Sequence, residues 1–207
     1  EKKGFIEITG EVGTGKTTIC RALLDYLDKG TKTALILNSN LSSNQMLRTI
    51  VEELGLKPRR QNKKAVLDVL NNFLIEQLPL GNNVVLIIDE SQNLNPSMLE
   101  QIRMLSNLET EKEKLLQIVL VGQPELRDKL KLPHLRQLRQ RIAVRYHINP
   151  LDRDESAKYI FHRLRVAGSK GDISFTDKAL DGIFAYSGGI PRLINVVCDK
   201  ALLAGYV

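Results

Sequence analysis

The sequence has few of the features that would mark a disulfide-rich, metal-clustering or membrane-spanning protein. Its two cysteines, Cys20 and Cys198, lie far apart and form no CxxC pair, a usage typical of reduced thiols in the cytoplasm. The three histidines, His134, His147 and His162, show no metal-ligand spacing. No apolar run reaches the roughly 18 residues of a membrane helix, and no signal peptide opens the chain. We therefore expect a cytoplasmic protein without a membrane segment in these residues.

Aromatic residues are also scarce, and charge is only moderately unbalanced. They make up 5% of the chain, with no tryptophan, which gives little material for stacking on nucleic-acid bases. The net charge of +6 is compatible with nucleic acid or acidic lipid, but phosphate binding alone also favours a basic chain. The charge by itself does not decide between these partners.

Both ends of the sequence suggest a piece of a longer protein. It begins with Glu1, followed by two lysines and an apolar run, and it stops at Val207 inside a helical pattern. We expect any membrane anchor or further domain to lie outside these residues.

Short apolar runs alternate with helical periodicity over residues 1–150, which predicts an α/β domain. The run Val84–Ile88 is entirely aliphatic, as in a strand buried on both faces of a parallel sheet. A helix is predicted to start near Asn62, and another is predicted with Asn95 as its cap and Pro96 in its first turn. The five predicted strands are Phe5–Thr9, Ala34–Leu37, Val84–Ile88, Gln117–Val121 and Ala143–Ile148.

Residues 151–207 show only helical patterns, which predicts a small helical lobe, and we expect it to be truncated. Asp152 and Glu155 resemble a capping box, and Thr176 is placed to cap the next helix. Gly188 and Gly189 then break the chain before a last helix that is entered through Pro191.

A P-loop pattern, GxxxxGK[ST], lies between the first predicted strand and a helix predicted over Thr18–Leu27. Glycines let successive backbone N–H groups face one anion, and a helix N-terminus adds positive charge. Lys16 is expected to reach the β- and γ-phosphates, and the Thr17 hydroxyl to bind Mg²⁺. The predicted nucleotide-binding residues here are Gly10, Glu11, Val12, Gly13, Thr14, Gly15, Lys16, Thr17 and Thr18.

A pair of carboxylates follows the aliphatic run about 70 residues after the P-loop. Asp89 is expected to bind the Mg²⁺ of Mg-ATP, and Glu90 to polarise the attacking water. A second carboxylate that orients water favours an ATPase over a kinase. The alternative for an isolated acidic pair is solvated side chains at a strand end.

These motifs and four longer sequence segments resemble those of the AAA+ ATPases, and more narrowly those of the ExeA/GspA ATPases of type II secretion. The segments are LIIDESQNL, LVGQPELR, LRQLRQRIAVRYHI and SGGIPRLINVVCDKALL. The MshM-type ATPases of type IV pilus biogenesis are similar to about the same degree. The resemblance implies a P-loop NTPase fold, with a five-stranded parallel sheet of order 5-1-4-3-2 and a C-terminal helical lid.

The resemblance also implies roles for residues outside the two motifs. Gln123 matches the polar sensor between the acidic pair and the γ-phosphate, and Asn38 the polar partner that holds Glu90 in an inactive pose. Arg192, after Gly-Gly-Ile-Pro, matches the lid arginine that contacts the γ-phosphate. Each residue also has a purely structural alternative: Gln123 as a turn residue, Asn38 as a strand-end asparagine, and Arg192 as a solvated arginine at a helix start. The positive charge of Arg192 would, however, oppose the helix dipole there.

In AAA+ rings, an arginine before the fifth strand enters the neighbouring subunit's site. Arg136, Arg139 and Arg141 precede that strand here. Arg141 matches best by position, with Arg139 as the alternative. The structural alternative is that the three arginines only form a basic surface helix. The resemblance therefore implies a homo-oligomeric ring.

Three functions remain open at this level. The first is an ATPase at the cytoplasmic face of the inner membrane, which acts with a membrane partner in assembly of a secretion or pilus machine. The second is a DNA-dependent ATPase of the TniB transposition kind, for which no helix-turn-helix is recognisable. The third is a nucleotide-gated scaffold with little hydrolysis, which would not need Glu90.

Overall fold

The computed structural model describes residues 4–28, 30–37, 41–58, 62–109 and 114–206. The chain divides into two compact units, of which the first comprises Glu1–Gly10 and Lys16–His147. The second comprises Glu11–Gly15 and Ile148–Val207.

The first unit is built on a five-stranded sheet of order β2-β3-β4-β1-β5. The ladders β1/β4, β2/β3 and β3/β4 are all parallel. This is the predicted order read from the other edge, so the predicted fold class is confirmed. The strands are β1 (Phe5–Gly10), β2 (Lys32–Ile36), β3 (Val84–Ile88), β4 (Gln117–Gly122) and β5 (Ile142–Ile148).

Alternate residues of the central strands face two separate apolar clusters. On β3, Leu86 and Ile88 belong to the larger cluster, while Val85 and Ile87 belong to the smaller one with Cys20. Successive side chains of a strand point to opposite faces, so both faces of this sheet are covered. The aliphatic composition of β3 is therefore explained by burial on both sides.

Six helices of the first unit flank this sheet in the described part of the chain. Asn95 caps α4 through its side chain and Pro96 opens that helix, as predicted. The Asn62 side chain caps α3, where only a helix start near Asn62 was predicted. Helix α1 begins at Lys16 rather than at the predicted Thr18, because the P-loop lysine already belongs to the first helical turn. The helices are α1 (Lys16–Tyr26), α2 (Ser43–Glu53), α3 (Lys63–Gln77), α4 (Pro96–Leu105), α5 (Glu125–Leu130) and α6 (Arg136–Arg141).

The described residues of the second unit form the helices α7 (Arg153–Val166), α8 (Asp177–Ser187) and α9 (Pro191–Tyr206). The capping box of Asp152 and Glu155 is present, and the Thr176 side chain caps α8. Gly188 ends α8 with a left-handed backbone, φ 56°, which glycine adopts at little cost. The core of this unit contains Ile160, Leu180, Ile183, Ile194 and Cys198.

The division between the units differs from the predicted boundary at residue 150 in two respects. It falls between His147 and Ile148, and it assigns Glu11–Gly15 to the unit of helices α7 to α9. A backbone hydrogen bond from Arg192 to Gly13 lies within this second unit. Among the described residues, no helix has both the length and the apolar character to cross a bilayer.

Candidate active site at the carboxyl edge of the sheet

Strands β3, β4 and β1 are neighbours, and their carboxyl ends form one edge of the sheet. Thr9 is paired with Gly122, and Ile88 with Leu120. Ligands of open parallel sheets bind outside the carboxyl ends of the strands. The residues that follow these three strands are therefore the candidates for chemistry in the first unit.

Lys16, Thr17 and Asp89 are brought together at this edge. The Lys16 side chain is buried, and its Nζ donates a hydrogen bond of 2.9 Å to the Gly10 carbonyl oxygen. The Thr17 hydroxyl donates to Asp89 Oδ2 at 2.6 Å. Asp89 is only 2% exposed, and its backbone N–H donates to the Ile36 carbonyl oxygen. Thr17 and Asp89, which are far apart in the sequence, thus share one site.

This donor set fits a hard divalent cation that is shared with a phosphorylated ligand. The adjacent oxygens of Thr17 and Asp89 are the kind of ligand that Mg²⁺ takes in sites completed by substrate phosphates and water. The described residues hold no cluster of three or more His, Cys, Asp or Glu that could bind a metal. The hydroxyl of Thr17 and the carboxylate of Asp89 therefore fit a cation whose remaining ligands come from elsewhere.

Glu90 has an uncommon backbone conformation, with φ 51° and ψ 36°. In the described part of the chain, it alone among non-glycine residues has a positive φ. Its Oε2 accepts hydrogen bonds from Gln92 Nε2 at 2.5 Å and from Gln123 Nε2 at 3.3 Å. The structure thus brings Gln123, at the end of β4, into contact with Glu90, at the end of β3.

Gln92 is a site residue that the sequence analysis missed. It lies in the 3-10 turn Ser91–Asn93, and its Oε1 accepts from the Gln123 backbone N–H at 3.0 Å. No general sequence pattern assigns a role to a glutamine two residues after a carboxylate. Its contact across 31 positions of the chain is visible only in the fold.

Cys20, on α1, is not a second reactive group of this site. The residue is 1% exposed, and burial, followed by the negative charge of Asp89, raises the pKa of its thiol to about 11. Since the thiolate is the nucleophilic form, Cys20 remains an inert core thiol at neutral pH.

In the second unit, the segment Glu11–Gly15 packs directly against the start of α9. The Gly13 carbonyl oxygen accepts a hydrogen bond of 3.2 Å from the Arg192 backbone N–H. A Cβ on Gly13 would lie 2.7 Å from Arg192 Cβ and 3.1 Å from Ile190 Cγ2. The Arg192 residue is exposed. The P-loop glycine and the predicted lid arginine are therefore in backbone contact.

Gly13→Ala is expected to lower the free energy of unfolding more than Gly15→Ala does. Gly13 and Gly15 have φ angles of 87° and 92°, but a Cβ on Gly15 meets nothing within 4 Å. Both variants carry the backbone penalty of about 1–2 kcal/mol, and only Gly13→Ala adds overpacking of about 1–3 kcal/mol. Urea unfolding of the two variants measures the difference. Equal losses of stability would contradict the contact with α9.

The three candidate arginines before β5 have different surroundings. Arg141 is half-buried, and its Nη1 donates to Ser106 Oγ at 2.6 Å. Arg136 and Arg139 are exposed. Arg139 also lines a cavity of about 330 Å³, together with Arg127, Lys131 and Arg145. Asn38, the remaining predicted site residue, lies outside the described residues.

Comparison with known proteins agrees with this geometry. The profile of the family described as AAA domain matches residues 1–130. Over 204 residues, the chain is 48% identical to General secretion pathway protein A of Aeromonas hydrophila. The aligned region covers 98% of this chain and 37% of that protein. The chain belongs to the AAA domain family. The match to General secretion pathway protein A confirms the predicted resemblance to the ExeA/GspA ATPases.

Solved structures of low sequence identity share the fold. Cdc6p from Pyrobaculum aerophilum matches with a TM-score of 0.74 and 22% identity, over 98% of this chain and 56% of that one. Aeropyrum pernix ORC2, solved as ADPNP-ADP complexes, matches with a TM-score of 0.64 and 20% identity. This match covers 98% of this chain and 58% of the ORC2 chain. The chain thus spans well under two thirds of each of these relatives.

Proposed function

We propose that this chain is a magnesium-dependent ATPase domain. The observation that carries the proposal is the junction of Thr17 with Asp89 and of Glu90 with Gln123, at the carboxyl edge of the sheet. These contacts join the three chain segments that a P-loop ATPase needs for phosphate, metal and water. The structure of Aeropyrum pernix ORC2, solved as ADPNP-ADP complexes, supports nucleotide as the ligand.

Each side chain has a part that follows from its chemistry. The P-loop, Gly10–Thr17 with Thr18 after it, binds the phosphates through backbone N–H groups and the Lys16 ammonium. Thr17 and Asp89 would hold Mg²⁺, which would supply positive charge to neutralise the phosphates of the nucleotide. Glu90 orients and polarises the attacking water, and Gln123 senses the γ-phosphate beside it.

We place this ATPase in a homo-oligomer that serves an envelope machine. The similarity to General secretion pathway protein A supports type II secretion, and assembly of a type IV pilus is the related alternative. The full-length protein would act with a membrane partner at the cytoplasmic face of the inner membrane. Arg192 would couple α9 to the state of the nucleotide, since its backbone already contacts Gly13.

The proposal is tested by calorimetric titration of Mg-ATP into the wild-type protein and into Lys16→Ala. The wild type is expected to bind, and Lys16→Ala to bind about 10- to 150-fold more weakly. Loss of a hydrogen bond to a charged group costs about 1.5–3 kcal/mol, which corresponds to this range. Removal of Mg²⁺ with EDTA should weaken binding to the wild type as well.

Lys178→Ala, an exposed lysine on α8, is the matched control and is expected to bind as the wild type does. Absence of Mg-ATP binding by folded wild-type protein would refute the proposed function. Undiminished affinity in Lys16→Ala would remove the lysine from the phosphate site.

A further inference from the structure

Gln92 connects two elements of the site through the two ends of one side-chain amide. Its Nε2 donates to Glu90 Oε2 at 2.5 Å, and its Oε1 accepts from the Gln123 backbone N–H at 3.0 Å. An amide has both a donor and an acceptor group, and both are used here. The Glu90 carboxylate is thereby tied to the main chain at the end of β4.

The surroundings of Gln92 hold it in this position. Lys129 Nζ donates to the Gln92 carbonyl oxygen and, at 2.8 Å, to the Leu94 carbonyl oxygen. A Cβ on Gly122 would lie 2.8 Å from Gln92 Oε1 and 3.3 Å from its backbone nitrogen. The side-chain amide therefore occupies space that only a glycine at the end of β4 leaves open.

Glu90 needs such support because its backbone is strained. A left-handed conformation costs a residue with a Cβ about 1–2 kcal/mol, and such conformations persist where the surroundings hold them. Gln92 and Gln123 direct their NH₂ groups to the same carboxylate oxygen. Together they restrict the rotamer of Glu90.

We propose that Gln92 is a positioning residue for Glu90, which orients the carboxylate and couples it to the Gln123 backbone. This inference rests on the proposed ATPase function, because it assigns Gln92 a part in the hydrolysis that Glu90 supports. Gln92 does not itself bind nucleotide. Its removal should therefore lower kcat and leave the affinity for Mg-ATP unchanged.

The expected size of the effect follows from geometry. Misplacement of a reacting group by about 1 Å can cost about 10²-fold in rate, so Gln92→Ala should lower kcat by about 10- to 100-fold. Gln92→Glu has nearly the same shape and keeps an acceptor for the Gln123 N–H. It loses the donor to Glu90 and places a like charge beside it, so its kcat should fall at least as far.

Steady-state ATPase and Mg-ATP titrations of both variants, in the wild-type and Glu90→Gln backgrounds, test this inference. KM and the dissociation constant should stay within about threefold of the parent protein. Residues that act as a unit show non-additive effects, so Gln92→Ala should change the residual kcat of Glu90→Gln by less than about twofold. Asn93→Ala, an exposed residue of the same turn, should behave as its parent in both backgrounds.

Two results would overturn the inference. One is a kcat within about twofold of the wild type in both Gln92 variants, with Glu90→Gln inactive. The other is an equal fractional loss from Gln92→Ala in both backgrounds, since Gln92 would then act independently of Glu90. Results that refute the proposed ATPase function can be distinguished from these two. In that case the wild-type protein would bind no Mg-ATP, or Glu90→Gln would hydrolyse ATP at the normal rate.

Discussion

Glu90→Gln is expected to bind Mg-ATP within about threefold of the wild-type affinity and to lose about 10²- to 10⁴-fold in turnover, the usual contribution of a general base. Glutamine has the shape of glutamate and retains an oxygen that can accept from Gln92 and Gln123. It lacks the negative charge that polarises water. The variant should therefore keep the local geometry and trap bound ATP.

Single-turnover hydrolysis and nucleotide titration of the same preparation measure both quantities for this variant. Glu76→Gln, an exposed glutamate on α3, controls for the loss of one negative charge and should be fully active. Normal turnover in Glu90→Gln would refute the role of Glu90. If the wild type itself binds ATP but scarcely hydrolyses it in the assembled state, the scaffold function is favoured instead.

Arg139→Ala is expected to lower turnover at high protein concentration by about 10³-fold or more, while ATP binding is retained. An arginine supplied in trans can contribute about 10³–10⁵ in rate. By sequence position Arg141 is the first candidate, but the structure gives its guanidinium a partner within the same unit, Ser106. Arg139 is exposed beside a cavity with other basic side chains, so we propose Arg139 for the role in trans.

Arg141→Ala should cost about 1 kcal/mol of stability through its lost hydrogen bond, and at most tenfold in turnover. Turnover measured against protein concentration separates these effects, with Arg136→Ala as the exposed comparison from the same helix. A mixture of Arg139→Ala and Glu90→Gln subunits should regain activity, because each supplies what the other lacks. No recovery in the mixture, or full activity of Arg139→Ala alone, would contradict the assignment.

Local chemistry explains which elements could be predicted. The run Val84–Ile88 indicates a buried strand by its aliphatic composition, and Asn95 is recognisable as a helix cap. Caps and turns depend on residues within four positions of each other, so a single sequence contains the necessary information. The order of the five strands came instead from family resemblance, because periodicity does not specify which strands pair.

Other features of the local structure were missed for physical reasons. Helix α5 has six residues, which is too short for a 3.6-residue period to emerge. Helix α6 is equally short, and the sequence indicated it only as the alternative interpretation of the arginines before β5. The left-handed backbone of Glu90 contradicts the usual preference of glutamate. Such a conformation is stabilised by tertiary contacts, here with Gln92 and Gln123, which local propensity does not contain.

The sequence by itself determined the P-loop pattern, the acidic pair and the buried character of β3, since these depend on neighbours along the chain. Only the tertiary structure decided that Gln92 joins Glu90 to Gln123, that Arg141 bonds to Ser106, and that Gly13 lies against Arg192. These contacts link residues that the fold brings together from distant positions. Their geometry depends on how strands and helices pack, and residue type alone does not specify it.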